Sequence, residues 1–216
     1  MPRRDCCVLQ FAKLPELGKV KTRMQPHLSP AQSVLLHQRL TTYTYACLAP
    51  EPGWDYQLWA SSEPGADFFA RLVEPAQGRV KVLAQRGADL GERMGAALQL
   101  ALASYRWVVI VGSDCPFLTP AHIQRMFAAL QQGSDCVLVP AEDGGYVAIG
   151  AGRYAPDLFA GVSWGGATVL AQTLANLARL GWRHSCLAAL PDIDRPEDLQ
   201  QLQELGWWSA ERGFTP

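Results

Sequence analysis

The stretch that decides the fold is WVVIVGSDCPFLTP, residues 107–120. Its first part, 107–113, is a continuous apolar run rich in β-branched residues, which is typical of a strand buried on both faces of a parallel sheet. The run ends at Gly112, Ser113 and Asp114, and Thr119–Pro120 then has the pattern of a helix start. A buried strand followed by a polar loop and a helix predicts an α/β fold with this strand near its centre.

Short apolar runs alternate with helical patterns on both sides of this strand. Further strands are predicted at 6–12, 79–85, 135–141, 146–151 and 184–190, and helices at 89–105 and 196–205. Another helix begins with Ser29, Pro30 and Gln32, which have capping-box spacing. With no repeat or linker, the pattern predicts a single domain over 1–216, a three-layer α/β/α sandwich with a mostly parallel central sheet.

The composition narrows the classes of protein to consider. The 216 residues are 49% hydrophobic and 18% charged, and the formal net charge is −1. A nearly neutral chain gives no reason to expect general nucleic-acid or anionic-membrane binding. Six cysteines without a C-x-x-C pair favour buried thiols in a reducing compartment. Without a signal peptide or an apolar stretch of membrane-spanning length, a cytoplasmic protein is expected.

A basic loop follows the first predicted strand. The stretch FAKLPELGKVKTR, residues 11–23, carries Lys13, Lys19, Lys21 and Arg23 against one acid, Glu16. It matches neither the Walker A pattern nor the dinucleotide fingerprint. Two interpretations remain open: a solvated surface loop, or a cradle for a polyphosphate, since charge-assisted contacts to phosphate oxygens are strong.

Carboxylates follow two of the predicted strands. Asp114 is not needed as a helix cap, because Thr119–Pro120 serves better, and at the carboxyl end of a central strand it is well placed to hold Mg²⁺ or Mn²⁺. PDIDRPEDL, 191–199, offers a second ligand, with Asp194 favoured over Asp192. Strand alternation turns both to the same side. A capping role explains Asp194 equally well.

Two further stretches supply candidate residues of lower specificity. EDGGY, 142–146, has the dipeptides of a hairpin turn, which alone explain Gly144 and Gly145, while Asp143 could also face a ligand. Trp164 lies between two predicted elements and could line a pocket. Neither stretch is specific by itself.

Six motifs in order along residues 6–200 together resemble a bacterial glycosyltransferase-like family, often called selenodomain-associated transferase 1. The motifs are FAKLPELGKVKTRM, ADLGERMGAAL, GSDCPFLTP, PAEDGGYVAIG, LFAGVSWGGATVLAQTLA and DIDRPEDL. The resemblance implies the fold of the nucleotide-diphospho-sugar transferases, the glycosyltransferase A type. Its motifs are specific for the family and much less so for a reaction, because this fold hosts several chemistries.

The resemblance also implies roles for the candidate residues. Nucleotide phosphates would be bound by Lys13, Gly18, Lys19 and Arg23, the metal by Asp114 with Asp194, and the charge on the leaving group would be stabilised by Asp114, Lys19 and Arg23. Lys21 is expected to point away if the loop is extended. The acceptor side would comprise Asp143, Gly144, Gly145, Tyr146 and Trp164. Gly165 and Gly166 depart from the family, whose members commonly carry hydroxyl residues there.

The expected activity is nucleotide-dependent group transfer to a small-molecule acceptor. The family favours glycosyl transfer from a nucleotide sugar. The single carboxylate of Gly112-Ser113-Asp114 and the basic loop favour the alternative, transfer of a nucleoside monophosphate from a triphosphate to a phosphorylated acceptor. A non-catalytic nucleotide-binding module is the second alternative. The sequence does not identify the base, sugar, acceptor or oligomeric state.

Overall fold

Strands and helices alternate in the order that the apolar runs predict. The computed structural model describes residues 5–61, 67–203, 205–209 and 213–214. The strands are β1 (Cys6–Ala12), β2 (Asp55–Ala60), β3 (Lys81–Ala84), β4 (Trp107–Val111), β5 (Cys136–Pro140), β6 (Tyr146–Ala151), β7 (His184–Cys186), β8 (Trp208–Ser209) and β9 (Gly213–Phe214). The α-helices are α1 (Pro30–Leu48), α2 (Asp67–Val73), α3 (Leu90–Leu102), α4 (Pro120–Gln131) and α5 (Val169–Arg179).

One seven-stranded sheet, in the order β3-β2-β1-β4-β6-β5-β7, forms the central layer. All of its neighbouring strands pair in parallel except that β6 runs antiparallel to both β4 and β5. The mostly parallel sheet is therefore confirmed, and β4 lies in its middle as the apolar run predicts. β8 and β9 pair antiparallel in a separate two-stranded sheet.

Strand alternation divides the apolar core into two layers. In β1, Cys6 and Val8 pack on one face of the sheet, while Cys7 and Leu9 pack on the other. The first face is covered by residues of α1, α2 and α4, and the second by residues of α3 and α5. This arrangement confirms the three-layer α/β/α sandwich.

The start of α1 agrees with the prediction, whereas the elements near the end of the chain differ from it. Ser29 and Gln32 form the predicted capping box of α1, with Pro30 in its first turn. The strand predicted over 184–190 is shorter than expected, because β7 ends at Cys186. The helix predicted over 196–205 is a 3₁₀ helix over Pro196–Gln203. Residue 204 of that prediction lies outside the described residues. Every helix in the described part of the chain falls short of the length and apolar content needed to cross a membrane.

Candidate functional site

The loops after β1, β4 and β5 meet at one edge of the sheet. Ser113, directly after β4, is buried, and its hydroxyl donates to the carbonyl of Phe11 at 2.8 Å and accepts from Gln10 Nε2 at 2.9 Å. These bonds fix the end of β4 against β1 and use the Ser113 hydroxyl internally. Asp114 is therefore the first side chain beyond β4 that can meet a ligand.

Asp114 is held on one side and open on the other. Its Oδ1 lies 2.7 Å from Lys21 Nζ and 4.0 Å from His37 Nδ1, yet 46% of the side chain remains exposed. Burial by itself would raise the pKa of Asp114, but the charges of Lys21 and His37 outweigh burial and lower it. Asp114 is thus a carboxylate at neutral pH, with one oxygen paired and the other facing solvent.

The structure contradicts the expectation that Lys21 points away from the site. Only 3% of its side chain is exposed, and its Nζ pairs with Asp114, donates to the Ile193 carbonyl and lies 3.9 Å from Asp194 Oδ1. The reason is local geometry: Lys21 has a left-handed backbone, with φ of 50°, just before the 3₁₀ turn Thr22–Met24. This conformation turns the side chain inward, whereas the prediction assumed an extended loop.

Arg23 joins three segments at the mouth of the site. Its NH1 lies 2.7 Å from Asp194 Oδ2, and its NH2 donates to the carbonyl of Gly165 at 3.1 Å. The basic loop, the segment after β7 and the loop before α5 therefore share one guanidinium. Gly165, with φ of +81°, adopts a conformation that side-chain-bearing residues rarely take.

The remaining members of the basic loop lie at the surface. Lys13, Gly18 and Lys19 are all exposed, and Lys19 pairs with Glu16 at 3.1 Å. Sequence analysis missed His37, which is buried in α1 and whose Nε2–H donates to the carbonyl of Lys13 at 2.9 Å. Burial lowers the pKa of His37, and the charge of Asp114 opposes this effect. A lone histidine on a helix carries no local signal of such a contact.

A cleft of about 210 Å³ opens beside these charges. Its walls are mostly apolar and aromatic, with carboxylates and a guanidinium among the lining residues. The apolar and aromatic lining includes Phe11, Leu90, Met94, Ile110, Tyr146 and Trp164, and the charged lining is Arg23, Asp143 and Asp192. Trp164 packs so closely on α3 that a Cβ at Gly91 would lie 2.9 Å from the indole ring.

The turn between β5 and β6 forms another part of the cleft. Asp143 Oδ1 accepts from the Gly145 amide at 2.9 Å, which closes the turn. The Gly144 carbonyl accepts from the Leu170 amide at 3.0 Å, so the turn also holds the start of α5. With φ of +92°, Gly144 leaves no space for a side chain, because a Cβ would lie 2.1 Å from the carbonyl oxygen of Ala167.

Asp192, like His37, has a role in the site that sequence analysis did not predict. It lines the cleft together with Asp143, whereas Asp194, the favoured residue, is paired with Arg23. Burial, followed by the charges of Asp143 and Asp114, raises the pKa of Asp192 to about 6. The only sequence signal was strand alternation, which places Asp192 and Asp194 on the same side and does not show which of them lines the cleft.

The carboxylates partly fit a divalent cation. The described residues contain no ready-made cluster of three or more acid, histidine or cysteine side chains for a metal. Asp114 and Asp194 both lie within 3.9 Å of one nitrogen, Lys21 Nζ. Mg²⁺ is commonly held by one or two carboxylates together with substrate phosphates. The donor set suits a metal that arrives with a phosphorylated ligand better than one bound by the protein alone.

Comparison with known proteins identifies the family of the chain. Residues 44–166 match the family described as an uncharacterized protein conserved in bacteria (DUF2064). A crystal structure from Desulfovibrio desulfuricans G20, assigned as a nucleotide-diphospho-sugar transferase, is 31% identical with a TM-score of 0.83, and the match covers 97% of this chain and 91% of that one. No curated protein matches.

More distant structures share the fold alone. The 4-diphosphocytidyl-2C-methyl-D-erythritol synthase of Anaerococcus prevotii DSM 20548 is 10% identical with a TM-score of 0.64, covering 94% of this chain and 96% of that one. A cytidylyltransferase from Leptospira borgpetersenii serovar Hardjo-bovis (strain JB197) is 12% identical with a TM-score of 0.55, covering 97% and 90%. The glycosyltransferase A type of fold expected from the motifs is thereby confirmed. The chain belongs to the bacterial DUF2064 family and has the nucleotide-diphospho-sugar transferase fold.

Proposed function

We propose that this protein is a nucleotide-dependent transferase that moves a sugar from a nucleotide-sugar donor to a small-molecule acceptor. The coarser part, a transferase of this fold, agrees with the assignment of the 31% identical structure. The observation that carries the proposal is the adjacency of two environments at one sheet edge. Cations and Asp114 lie on one side, and a cleft walled by Tyr146 and Trp164 lies on the other.

The basic loop forms the donor side of this arrangement. Lys13 and Lys19 are exposed, and Arg23 has 48% of its side chain exposed, so all three can meet the diphosphate of a donor. The Lys19–Glu16 pair is exposed, and such pairs contribute little, so it is readily exchanged for a phosphate. A guanidinium and ammonium groups at this position would stabilise the charge of the departing nucleoside diphosphate.

The acceptor side is the cleft. Aromatic walls suit the apolar face of a sugar ring, while Asp143 and Asp192 can accept hydrogen bonds from hydroxyl groups. Asp114, with Asp194 or Asp192, would hold Mg²⁺ or Mn²⁺. That ion would supply further stabilisation of charge on the phosphate oxygens. The proposed chemistry is positioning plus electrostatics, with no covalent enzyme intermediate.

One observation favours nucleotidyl transfer as a second candidate. Glycosyltransferases of this fold often carry an Asp-x-Asp motif, and here Ser113 precedes Asp114 and its hydroxyl is buried in contacts with Phe11 and Gln10. Ser113 therefore offers no ligand, and the loop contributes one carboxylate. A triphosphate with its own metal-binding oxygens would need fewer protein ligands, as in other phosphoryl-transfer sites.

A binding and turnover panel tests these alternatives. Nucleotide sugars, nucleoside diphosphates and nucleoside triphosphates are each added with Mg²⁺ or Mn²⁺, and the Tm is measured alongside release of nucleoside diphosphate or pyrophosphate. A ligand at about 100 times its Kd adds about 2.7 kcal/mol of stability, which corresponds to a Tm rise of roughly 5–10 °C for a chain of this size. We expect a nucleotide sugar to give the largest shift and slow release of nucleoside diphosphate.

Matched variants connect the result to the site. Asp114→Asn should abolish the metal-dependent part of the shift, and Asp157→Asn, at an exposed acid in the turn Pro156–Leu158, should not. A larger shift with a triphosphate, accompanied by pyrophosphate release, would favour nucleotidyl transfer. Binding without turnover across acceptor panels would favour the non-catalytic module. No shift with any nucleotide would overturn the proposal.

A further inference from the structure

Lys21 is held in an unusual way for a lysine in a phosphate-binding loop. Its side chain is almost entirely buried, and every polar contact that its ammonium makes is with the protein: Asp114 Oδ1 at 2.7 Å, the Ile193 carbonyl, and Asp194 Oδ1 at 3.9 Å. Of the three N–H donors of the ammonium, two point at Asp114 and the Ile193 carbonyl, while Asp194 lies at ion-pair distance. Lys21 is therefore turned away from the surface where Lys13 and Lys19 would meet phosphate.

This arrangement is costly to maintain. Burying an ammonium removes its hydration, and the attraction to carboxylates compensates only when the geometry is good. The left-handed backbone at Lys21 is a further cost, because residues with a Cβ rarely adopt this conformation. An apolar residue of this size would bear the same backbone cost but would avoid the cost of burying a charge, so the charge itself needs an explanation.

The explanation lies in the two carboxylates. Without a cation between them, Asp114 and Asp194 would repel each other at the mouth of the cleft. Arg23 pairs with Asp194 Oδ2, but no contact joins Arg23 to Asp114, so Lys21 is the cation shared by both acids among the described residues. The position between two carboxylate oxygens is also the position that a divalent cation would seek.

We propose that the Lys21 ammonium is the resident cation of this site, which neutralises the Asp114–Asp194 pair and competes with a divalent metal for it. The inference rests on the metal use in the proposed function. Because Lys21 occupies the shared position, the nucleotide-free protein binds Mg²⁺ or Mn²⁺ weakly. Metal is then recruited mainly together with the donor phosphates, on the open side of Asp114.

The test is Mn²⁺ binding without any nucleotide, measured by electron paramagnetic resonance, in the wild type and in Lys21→Met, which removes the charge while keeping an extended side chain. Loss of a unit charge within contact distance of both acids should tighten Mn²⁺ binding by about tenfold or more. Mn²⁺ should also raise the Tm of Lys21→Met by several degrees while leaving that of the wild type nearly unchanged.

Three control variants distinguish this role from ordinary packing. Lys21→Arg keeps the charge and should keep weak Mn²⁺ binding. Lys19→Met, at an exposed lysine paired with Glu16, should bind Mn²⁺ as weakly as the wild type in the absence of nucleotide. Adding Asp194→Asn to Lys21→Met should remove the gain in affinity, because one acid of the pair is lost.

The opposite results would overturn the inference. Lys21→Met binding Mn²⁺ no more tightly than wild type, or a destabilised Lys21→Met that Mn²⁺ neither stabilises nor refolds, means that Lys21 only fills space. Since no nucleotide is present in this experiment, its failure leaves the donor panel unaffected. Failure of the donor panel would likewise leave the Mn²⁺ comparison intact.

Discussion

Gly144→Ala is the substitution whose effect follows most directly from the geometry. Gly144 lies in the turn between β5 and β6, with φ of +92°, and a Cβ there would stand 2.1 Å from the carbonyl oxygen of Ala167. That oxygen belongs to backbone, so it cannot rotate away as a side chain would. The methyl group must therefore push apart the turn and the loop before α5.

The size of the effect can be estimated from two contributions. A left-handed backbone at a residue with a Cβ costs roughly 1–2 kcal/mol, and inserting a methyl group into closely packed structure costs about 1–3 kcal/mol. Together they lower the free energy of unfolding by about 3 kcal/mol, or the Tm by roughly 6–12 °C for a chain of this length. Most domains have about 5–15 kcal/mol of stability, so the variant should remain folded at 25 °C.

Gly145→Ala is the matched control one residue away. Its Cβ would meet only the Asp143 carboxylate oxygen, at 3.2 Å, and that side chain can adjust. We expect less than about 1 kcal/mol of destabilisation, which is typical where no special backbone is required. Urea unfolding of both variants measures the difference. Equal destabilisation of the two would refute the reasoning.

The displacement in Gly144→Ala should also reach the cleft. Ala167 is close in sequence to Trp164 and Gly165, which both line the cleft, and the Gly165 carbonyl accepts from Arg23. We therefore expect the donor-induced Tm shift to fall in Gly144→Ala and to persist in Gly145→Ala. A full donor response in Gly144→Ala would show that the turn does not control the cleft.

Two further predictions concern charge. Arg23→Ala should change the unfolding free energy by less than about 1 kcal/mol, because its ion pair with Asp194 is partly exposed. The same variant should bind the donor more weakly. An unaltered donor-induced Tm shift would show that Arg23 does not contact the donor. Burial raises the pKa of the thiols of Cys7 and Cys136 above the ordinary 9.0, and that of Cys115 to about 12. Their folded pKa values exceed the unfolded ones, so this contribution to stability is complete below pH 9 and is lost as the pH rises further. Urea unfolding at pH 7 and pH 10 checks it, and equal stability at both would contradict it.

The strands were predictable where an apolar run has polar ends. The bounds of β1 and β6 agree with the prediction, since polar or glycine residues flank both runs. Residues 187–190 are as apolar as a strand, but only Leu190 pairs, in an isolated bridge with Ala141. The antiparallel direction of β6 had one sequence signal, the short Glu142–Gly145 turn before it. The apolar run itself does not indicate strand direction.

The site was predictable only as far as strand ends determine it. Asp114 follows from the rule that ligands bind beyond the carboxyl ends of strands in open α/β sheets. The inward turn of Lys21 does not follow, because its left-handed backbone has no sequence signal and the partners of its ammonium lie far along the chain. His37 was missed for a different reason: its hydrogen-bond partner is a backbone carbonyl, and any residue can supply one.

Arg23 has a consequence for how this chain can diverge. Its contact with Asp194 joins two side chains, whereas its contact with Gly165 reaches a backbone carbonyl. Substitution at either end breaks this ion pair, so Arg23 and Asp194 should change together among relatives. The Gly165 contact places no such demand on the chemistry of a side chain and requires only a backbone that presents the carbonyl. At the mouth of the cleft, substitutions of Arg23 and Asp194 are therefore coupled, whereas substitution of Gly165 is limited by backbone conformation.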